Sequence, residues 1–352
     1  MKLGLIGFPN SGKKTLFKLL TGNTVINFDN KDSISGIAKI RDKRFDNLVE
    51  IYKPLKEVPA VIDFLLIKDI DTQSAQNIKP FLAIQNVDVL CHIVRVFSDD
   101  RIFHINGTVD PLRDIEFFNN ELIINDLLFI EKRLERLEKE RGKKNMEQDK
   151  DLFLKLQNHL EENKPLRTLE LSEEEKNSLK GYSFLTLKSM LIVLNIDEKD
   201  LGNSTISDNF KDRFNDQDIE WVQVSAKLEQ ELSLIEEKEE QELFLKELGI
   251  DTPAIDKFTI LAYKSLGLIS FFTVGKDEVR AWMVAKDSKA PQAARAVHTD
   301  MERGFIRAEV MKYDDIVTFG DENKVKSAGK FMVKGKDYIV EDGDILSILF
   351  NV

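Results

Sequence analysis

The chain has 352 residues, 42% hydrophobic and 32% charged, with 17 Gly and 8 Pro, which is too long for one ordinary core and excludes both wholesale disorder and collagen-like order. A net charge of −11 argues against a broad phosphate-binding surface while leaving room for a local basic patch. One cysteine, Cys91, precludes an internal disulfide or a Cys-rich zinc site, and His92, His104, His159 and His298 show no ligand spacing.

The N-terminal stretch shows no cleavage pattern, and no apolar run approaches the roughly 20 residues of a membrane span. A soluble, cytoplasmic protein is therefore expected. In chain order, Leu3–Ile6 reads as a short strand, followed by a glycine loop and the helical run Leu16–Leu20. Further apolar runs follow at Val61–Ile67, Val87–Phe97, Met190–Leu194 and Ile219–Val224. Short runs that are apolar on both faces, separated by helical connections, predict a mostly parallel sheet with helices on both faces, an α/β doubly wound core.

From Asp114 to about Asn163 the texture changes. Ile123, Leu127, Ile130, Leu134 and Leu137 keep coiled-coil spacing. A polar break at Arg141–Asn145 precedes a second helical run carrying Phe153, Leu156 and Leu160 on one face. An antiparallel helical hairpin is predicted, either a solvated arm or a partner contact.

The segment from Leu268 has a different pattern, with strands at Val279–Val284 and Phe305–Val310 around one helix, Pro291–Arg303, closed by Gly304. Tyr338–Val340 and Ile345–Phe350 flank the turn Glu341–Asp344 and predict a hairpin. A small mixed module results. Residues 268–352 carry 13 Lys+Arg against 14 Asp+Glu, so nearly all of the net charge lies elsewhere. Lys324, Lys326, Lys330, Lys334 and Lys336 read equally as a nucleic-acid face or a solvated loop.

The strongest chemical signal is Gly7-Phe8-Pro9-Asn10-Ser11-Gly12-Lys13, which is GxxxxGK between a strand and a helix. Backbone N–H groups and a helix N-terminus there surround phosphates, the glycines permit close approach, and Lys13 reaches the β- and γ-phosphates. A phosphate loop normally continues with Ser or Thr, whose hydroxyl binds Mg²⁺. Here the next residue is Lys14, which cannot ligate a cation. Thr15 comes one residue late, about 100° around the helix, so its hydroxyl is expected to point away from the metal position.

These motifs resemble the YchF family, the Obg-like ATPases among the translation-factor class of P-loop proteins. The likeness runs nearly end to end. It rests on GFPNSGKKTLF from Gly7, RFDNLVEIYKP (Arg44–Pro54), HIVRVF (His92–Phe97), DPLRDIE (Asp110–Glu116), IEKRLERLEK (Ile130–Lys139) and LELSEEEK (Leu169–Lys176). It continues through FFTVGKDEVRAW (Phe271–Trp282), KAPQAARAVHTDMERGFIRAEV (Lys289–Val310) and GKDYIVEDGDILSILFNV (Gly335–Val352).

The resemblance implies a P-loop G-domain in two parts, residues 1–113 and 187–267, around a helical insertion at 114–186. It implies a TGS-like β-grasp domain at 268–352. Asn195-Ile196-Asp197-Glu198 stands where GTPases carry NKxD; the family has NxxE, a pattern associated with preferring ATP over GTP. Ser225-Ala226-Lys227 resembles the SAK loop beside the base. The implied nucleotide site is thus Asn10, Ser11, Gly12, Lys13, Lys14, Thr15, Asn195, Ile196, Glu198, Ser225, Ala226 and Lys227. It would take ATP or GTP, or ADP or GDP. A ribosome or structured RNA is the implied partner of a monomer, with no DNA or membrane.

The metal-binding switches depart from the family. Registering on Val58-Pro59-Ala60, the DxxG aspartate falls on Leu66 and its glycine on Asp69, while Asp63 sits mid-strand. The loop Ile70–Pro80 contains no glycine. The first switch offers Asn30, with Ser33 and Ser35 as loose substitutes for a Thr. Nucleotide binding with little dependence on Mg²⁺ and negligible hydrolysis is expected, and no catalytic or metal-ligating residue is assigned. A working ATPase with unconventional metal ligands, and an interaction protein with an empty loop, are the two alternatives.

Overall fold

The computed structural model describes residues 1–29, 31–73, 78–139, 146–250 and 252–351. The chain divides into two compact units, one of Met1–Ile37 with Asp63–Phe258 and one of Ala38–Ile62 with Thr259–Val352.

The first unit opens with β1 (Lys2–Ile6), α1 (Lys13–Thr21) and β2 (Ser33–Lys39). After α2 (Lys43–Tyr52) and β3 (Lys56–Val58), which belong to the second unit, come β4 (Val61–Ile67), α3 (Ile78–Ile84) and β5 (Val89–Arg95). Two long helices follow, α4 (Pro111–Lys139) and α5 (Met146–Glu161), then α6 (Glu173–Leu179), β6 (Ser189–Asn195), α7 (Ser204–Arg213) and β7 (Ile219–Val224). Helices α8 (Ala226–Leu232), α9 (Lys238–Glu247) and α10 (Ala254–Ser265) lead out of it.

Its sheet has the order β2-β4-β1-β5-β6-β7, and the β1–β4, β1–β5, β5–β6 and β6–β7 pairs are all parallel. Every residue of β5 is buried, as is β6 beyond its first residue. That is how a parallel sheet covered on both faces reads in sequence. Because β1 lies between β4 and β5, the chain reverses its winding there, and the loop after β1 opens at the carboxyl edge where such sheets bind ligands.

Helix α4 serves two cores. Ile115, Phe118 and Leu122 pack with Ile6, Leu90 and Ile192 of the sheet. Farther along, Ile123, Ile130 and Leu137 pack with Phe153, Leu156 and Leu160 of α5, joined by Leu127 and Leu134. Glu138 lies 3.5 Å from Lys150, and Arg133 lies over the Phe153 ring at 5.9 Å, so α5 runs back along α4. The break at Arg141–Asn145 lies outside the described residues.

The second unit adds β8 (Leu268–Thr273), β9 (Glu278–Ala285), α11 (Ala290–Val297), α12 (Thr299–Arg303) and β10 (Phe305–Lys312). It closes with α13 (Tyr313–Phe319), α14 (Glu322–Ser327), β11 (Met332–Lys334) and β12 (Asp344–Phe350). The sheet order is β11-β10-β12-β8-β9-β3. Residues 38–62, read from sequence with the G-domain, cluster in this unit. There β3 pairs parallel with β9, Asn47 Nδ2 donates to Tyr313 Oη at 2.6 Å, and Tyr52 Oη donates to Glu322 at 3.0 Å.

Two local expectations are corrected. The single helix Pro291–Arg303 is broken at His298, whose backbone is extended and whose ring Nδ1 accepts from the Asp300 N–H at 3.2 Å. This local cap competes with continuation of the helix. The hairpin across Glu341–Asp344 does not form either. Buried Asp344 accepts from Tyr338 Oη at 2.7 Å, the Glu341 N–H at 2.9 Å and Lys312 Nζ at 2.6 Å. The turn is thereby held by a side chain, and β12 pairs antiparallel with β10 and parallel with β8. Residues 338–340 touch a strand partner through the Lys289–Ile339 bridge.

Candidate phosphate-binding site

The loop between β1 and α1 is shaped by residues that must lack side chains. Gly7 has φ +147° and Gly12 φ +96°, both left-handed; a Cβ at Gly7 would strike the Ile93 carbonyl, and one at Gly12 the Asn195 amide. Asn10 also takes a positive φ, 61°, and its Nδ2 donates to the Phe103 carbonyl at 3.1 Å. Helix α1 starts from Gly12 without a side-chain cap and has no acidic residue in its first turn. Its free N–H groups and the lysines at its first two positions concentrate positive charge where the helix dipole is already positive. Such an arrangement calls for an anion.

Lys13 is 2% exposed. Its Nζ donates to the Gly7 carbonyl at 2.6 Å and to Asp69 Oδ1. Burial pushes its pKa down to about 8, against the raising effect of Asp69. Beneath it His92, packed on Phe118, is pushed down to about 3 by burial and then by Lys13, so it stays neutral. Ser11 is buried too, and its Oγ has no protein partner among the described residues. Lys14 points outward, half-exposed, its Nζ 3.8 Å from Asp69 Oδ2.

Beside the loop opens a cavity of about 770 Å³, within the range of small-molecule sites. Of the predicted residues, Asn10, Gly12, Thr15, Asn195, Ile196, Glu198, Ser225, Ala226 and Lys227 line it. Ser11 and Lys13 lie buried in the loop itself, and Lys14 stands outside. Thr15, expected to turn away from the metal position, belongs to the cavity wall.

Asn195, at the end of β6, holds the two halves together. Its Nδ2 donates to the Ser11 carbonyl at 2.9 Å, and its Oδ1 accepts from the Ala226 N–H at 3.0 Å. Ser225 caps α8 by accepting from the Leu228 N–H. Glu198 forms an ion pair with Lys227 at 3.0 Å.

Sequence reasoning missed the third wall, which includes Phe97, Ser98, Asp99, Arg101 and Ile102. This loop is organised by Arg95, whose buried guanidinium donates to the carbonyls of Phe97, Asp99, Ile102 and Phe103 at 3.0–3.4 Å. Asp197 accepts from the Ser98 N–H at 3.2 Å and ties the loop to the end of β6. The buried arginine in HIVRVF was the available signal.

The residues do not fit a bound Mg²⁺. Lys14 occupies the hydroxyl position, Leu66 is fully buried within β4, and Asp69 is already engaged by Lys13. Asp63 lies within β4 opposite Lys2, as its mid-strand reading requires. Ser33 and Ser35 lie on β2 and do not line the cavity. Asn30 and part of the loop Ile70–Pro80 lie outside the described residues. Among the described residues no group of three His, Cys, Asp or Glu side chains gathers as a metal site.

Comparison with known proteins agrees with this architecture. The YchF-GTPase C-terminal family model, described as a protein of unknown function (DUF933), matches residues 268–351. The chain is 38% identical to "Ribosome-binding ATPase YchF" of Bacillus subtilis (strain 168) over 99% of both chains. It is 38% identical to "Obg-like ATPase 1" of Caenorhabditis elegans, covering 100% of this chain and 92% of that one. Among solved structures, the Schizosaccharomyces pombe YchF GTPase superposes with a TM-score of 0.86 at 31% identity, covering 99% of this chain and 97% of that one. A GTP-binding protein of Pyrococcus horikoshii OT3, 19% identical, superposes over the full length of both with a TM-score of 0.60, a likeness of fold alone.

Proposed function

The chain belongs to the YchF family of Obg-like ATPases, and from that premise we propose that it binds a purine nucleotide as a ribosome-associated translation factor whose hydrolysis is weak or lost. The observation that carries the nucleotide reading is the loop itself. A buried lysine and a Ser11 Oγ without a partner among the described residues sit at an uncapped helix N-terminus that carries no acid in its first turn. The sugar and base extend into the cavity between Asn195, Ser225–Lys227 and the 97–102 loop, with Glu198 as the reader of the base. ATP or GTP, or the diphosphates, are the ligands proposed, with adenine preferred over guanine on the NxxE pattern.

The hairpin and the C-terminal module are proposed to hold the ribosome or structured RNA. In the latter, a TGS-like module by resemblance, Lys326 lies over Phe331 at 4.5 Å and Lys334 over Tyr338 at 5.3 Å, pairing cations with stacking surfaces. The relatives' printed names speak of ribosome binding. A monomeric cytoplasmic protein fits this role; no described helix is long and apolar enough to cross a membrane.

Calorimetric titration with ADP and ATP, in EDTA and then in Mg²⁺, tests the nucleotide reading. A charge-assisted phosphate contact is worth about 1.5–3 kcal/mol, so Lys13→Ala is expected to weaken binding about tenfold or more. Unchanged affinity would show that the loop is not the site. Co-sedimentation with ribosomes that weakens as salt rises tests the partner, because phosphate contacts release counterions; no co-sedimentation at low salt would refute it.

A further inference from the structure

The anion that the loop calls for is already present, and it comes from the chain. Asp69 Oδ1 is held by the Lys13 ammonium while Oδ2 faces Lys14 Nζ at 3.8 Å, so one carboxylate bridges both lysines at the start of α1. Its backbone is pinned on either side. The Ile70 N–H donates to the Gly7 carbonyl at 3.2 Å and Ile70 is buried in the sheet core. The Lys68 N–H donates to the Asp32 carbonyl at 3.2 Å. Asp69 is therefore delivered to the loop by a fixed strand end.

We propose that Asp69 is a built-in competitor for the γ-phosphate, making this loop selective for nucleoside diphosphates over triphosphates. The inference rests on the nucleotide reading above. An ammonium has three N–H donors, and in Lys13 one goes to the Gly7 carbonyl and one to Asp69. The lysine of a GxxxxGK loop serves the β- and γ-phosphates. One donor is left, enough for a β-phosphate oxygen of a diphosphate with the Asp69 pair intact. A γ-phosphate requires the donor that Asp69 holds, and its charge repels the carboxylate it meets. A triphosphate must first displace Asp69, and its apparent affinity falls by the fraction of molecules in which Asp69 has left.

Titrations at pH 6.5 in EDTA, where Lys13 is protonated, test this with ADP and ATP on the full chain and on Asp69→Asn and Asp69→Gly. Asp69 is about one-third exposed, so both substitutions should fold, and thermal midpoints check that they do. The unaltered chain is expected to bind ADP at least tenfold more tightly than ATP. In both variants ATP should gain at least tenfold more affinity than ADP gains. Equal binding of ADP and ATP by the unaltered chain, or equal gains in the variants, overturns the inference while leaving the nucleotide reading intact. Binding of neither nucleotide by any of the three proteins overturns both.

Discussion

Asn195 Nδ2 donates to the Ser11 carbonyl at 2.9 Å, joining residues 184 positions apart. The same amide accepts from the Ala226 N–H at 3.0 Å, so one side chain at the end of β6 fixes the phosphate loop against the turn that opens α8. Here both ends of its amide are spent on the protein backbone, and its first task is to place the loop.

Asn195→Ala leaves a buried carbonyl and a buried N–H without partners, which costs about 1–3 kcal/mol for each unsatisfied group. Asn195→Asp should be worse for the loop, since it turns a carboxylate oxygen toward the Ser11 carbonyl. Chemical denaturation should show a loss of at least about 1 kcal/mol in both variants, with nucleotide affinity falling alongside. A variant that keeps full stability and full affinity would refute the clamp.

The buried Lys13 gives a pH signature. In the free protein it titrates near 8, lowered chiefly by burial; Asp69 pulls the other way, Lys14 adds to the lowering, and His92 is neutral. A bound phosphate replaces lost hydration and holds the proton, so binding takes up a proton above pH 8 and none below. Affinity for ADP should be flat to about pH 8 and then fall toward tenfold per unit. Lys13→Arg should remove that fall, because a guanidinium does not titrate there. Stability moves the other way. The unfolded lysine keeps its proton to about 10.4, so between pH 8 and that value the unfolded state binds more protons and the fold gains stability as pH rises. Wild-type affinity that stays flat to pH 9.5 would count against the buried ammonium as a phosphate ligand.

A second titration reports on the hairpin. Asp126 of α4 accepts from the Leu185 N–H at 2.9 Å, the Thr186 N–H at 2.7 Å and Thr186 Oγ1 at 2.6 Å. Burial outweighs those bonds and pushes its pKa up to about 6. An acid whose folded pKa is raised contributes stability that is complete below the unfolded value, about 3.9, and is lost as pH rises through the folded one. Stability should therefore fall by about 2 kcal/mol between pH 4 and 6 from this group. Asp126→Asn carries no such titration, so the difference between the two proteins, measured by urea denaturation, should shrink across that window. Parallel pH profiles would mean that Asp126 titrates normally.

Both the sheet and the loop were legible because their signals are local. A run such as Met190–Leu194, apolar throughout, has few fates other than a strand covered on both faces, and GxxxxGK between strand and helix constrains its own backbone. What failed was non-local. Asp344 reads as a turn residue, yet its carboxylate collects Tyr338, Glu341 and Lys312, and the strand after it finds β10 and β8 instead of a hairpin partner. Residues 38–62 sit between two runs of the first sheet, and their contacts with β9, Tyr313 and Glu322 lie with partners far along the chain that no local pattern marks. Arg95 carried a visible motif but no visible role, since its partners are four backbone carbonyls that no sequence pattern marks. The Asp69 substitution was plain in the sequence, whereas its ion pair with Lys13 required the end of β4 to be laid over the loop.

Turnover of ATP is expected to stay at background. Phosphoryl transfer from ATP needs Mg²⁺ across the β- and γ-phosphates, a positioned water and donors that close on the γ-phosphate. Leu66, fully buried in β4, offers no acceptor, Lys14 replaces the hydroxyl ligand, and Asp69 places negative charge on the lysine that should stabilise the transferring group. Loss of a single preorganised contact of this kind costs about 10²–10³-fold in rate, and here three are altered together. Lys14→Ser should make nucleotide binding more responsive to Mg²⁺ without producing measurable phosphate release, because the Leu66 and Asp69 positions are unchanged. Adding Asp69→Gly should improve ATP affinity and still leave hydrolysis at background, since Leu66 persists. The measurement is phosphate release under single-turnover conditions. Mg²⁺-dependent release from the unaltered chain that disappears in Lys13→Ala would refute this prediction, and it would mean that groups other than Leu66 and Lys14 organise the γ-phosphate.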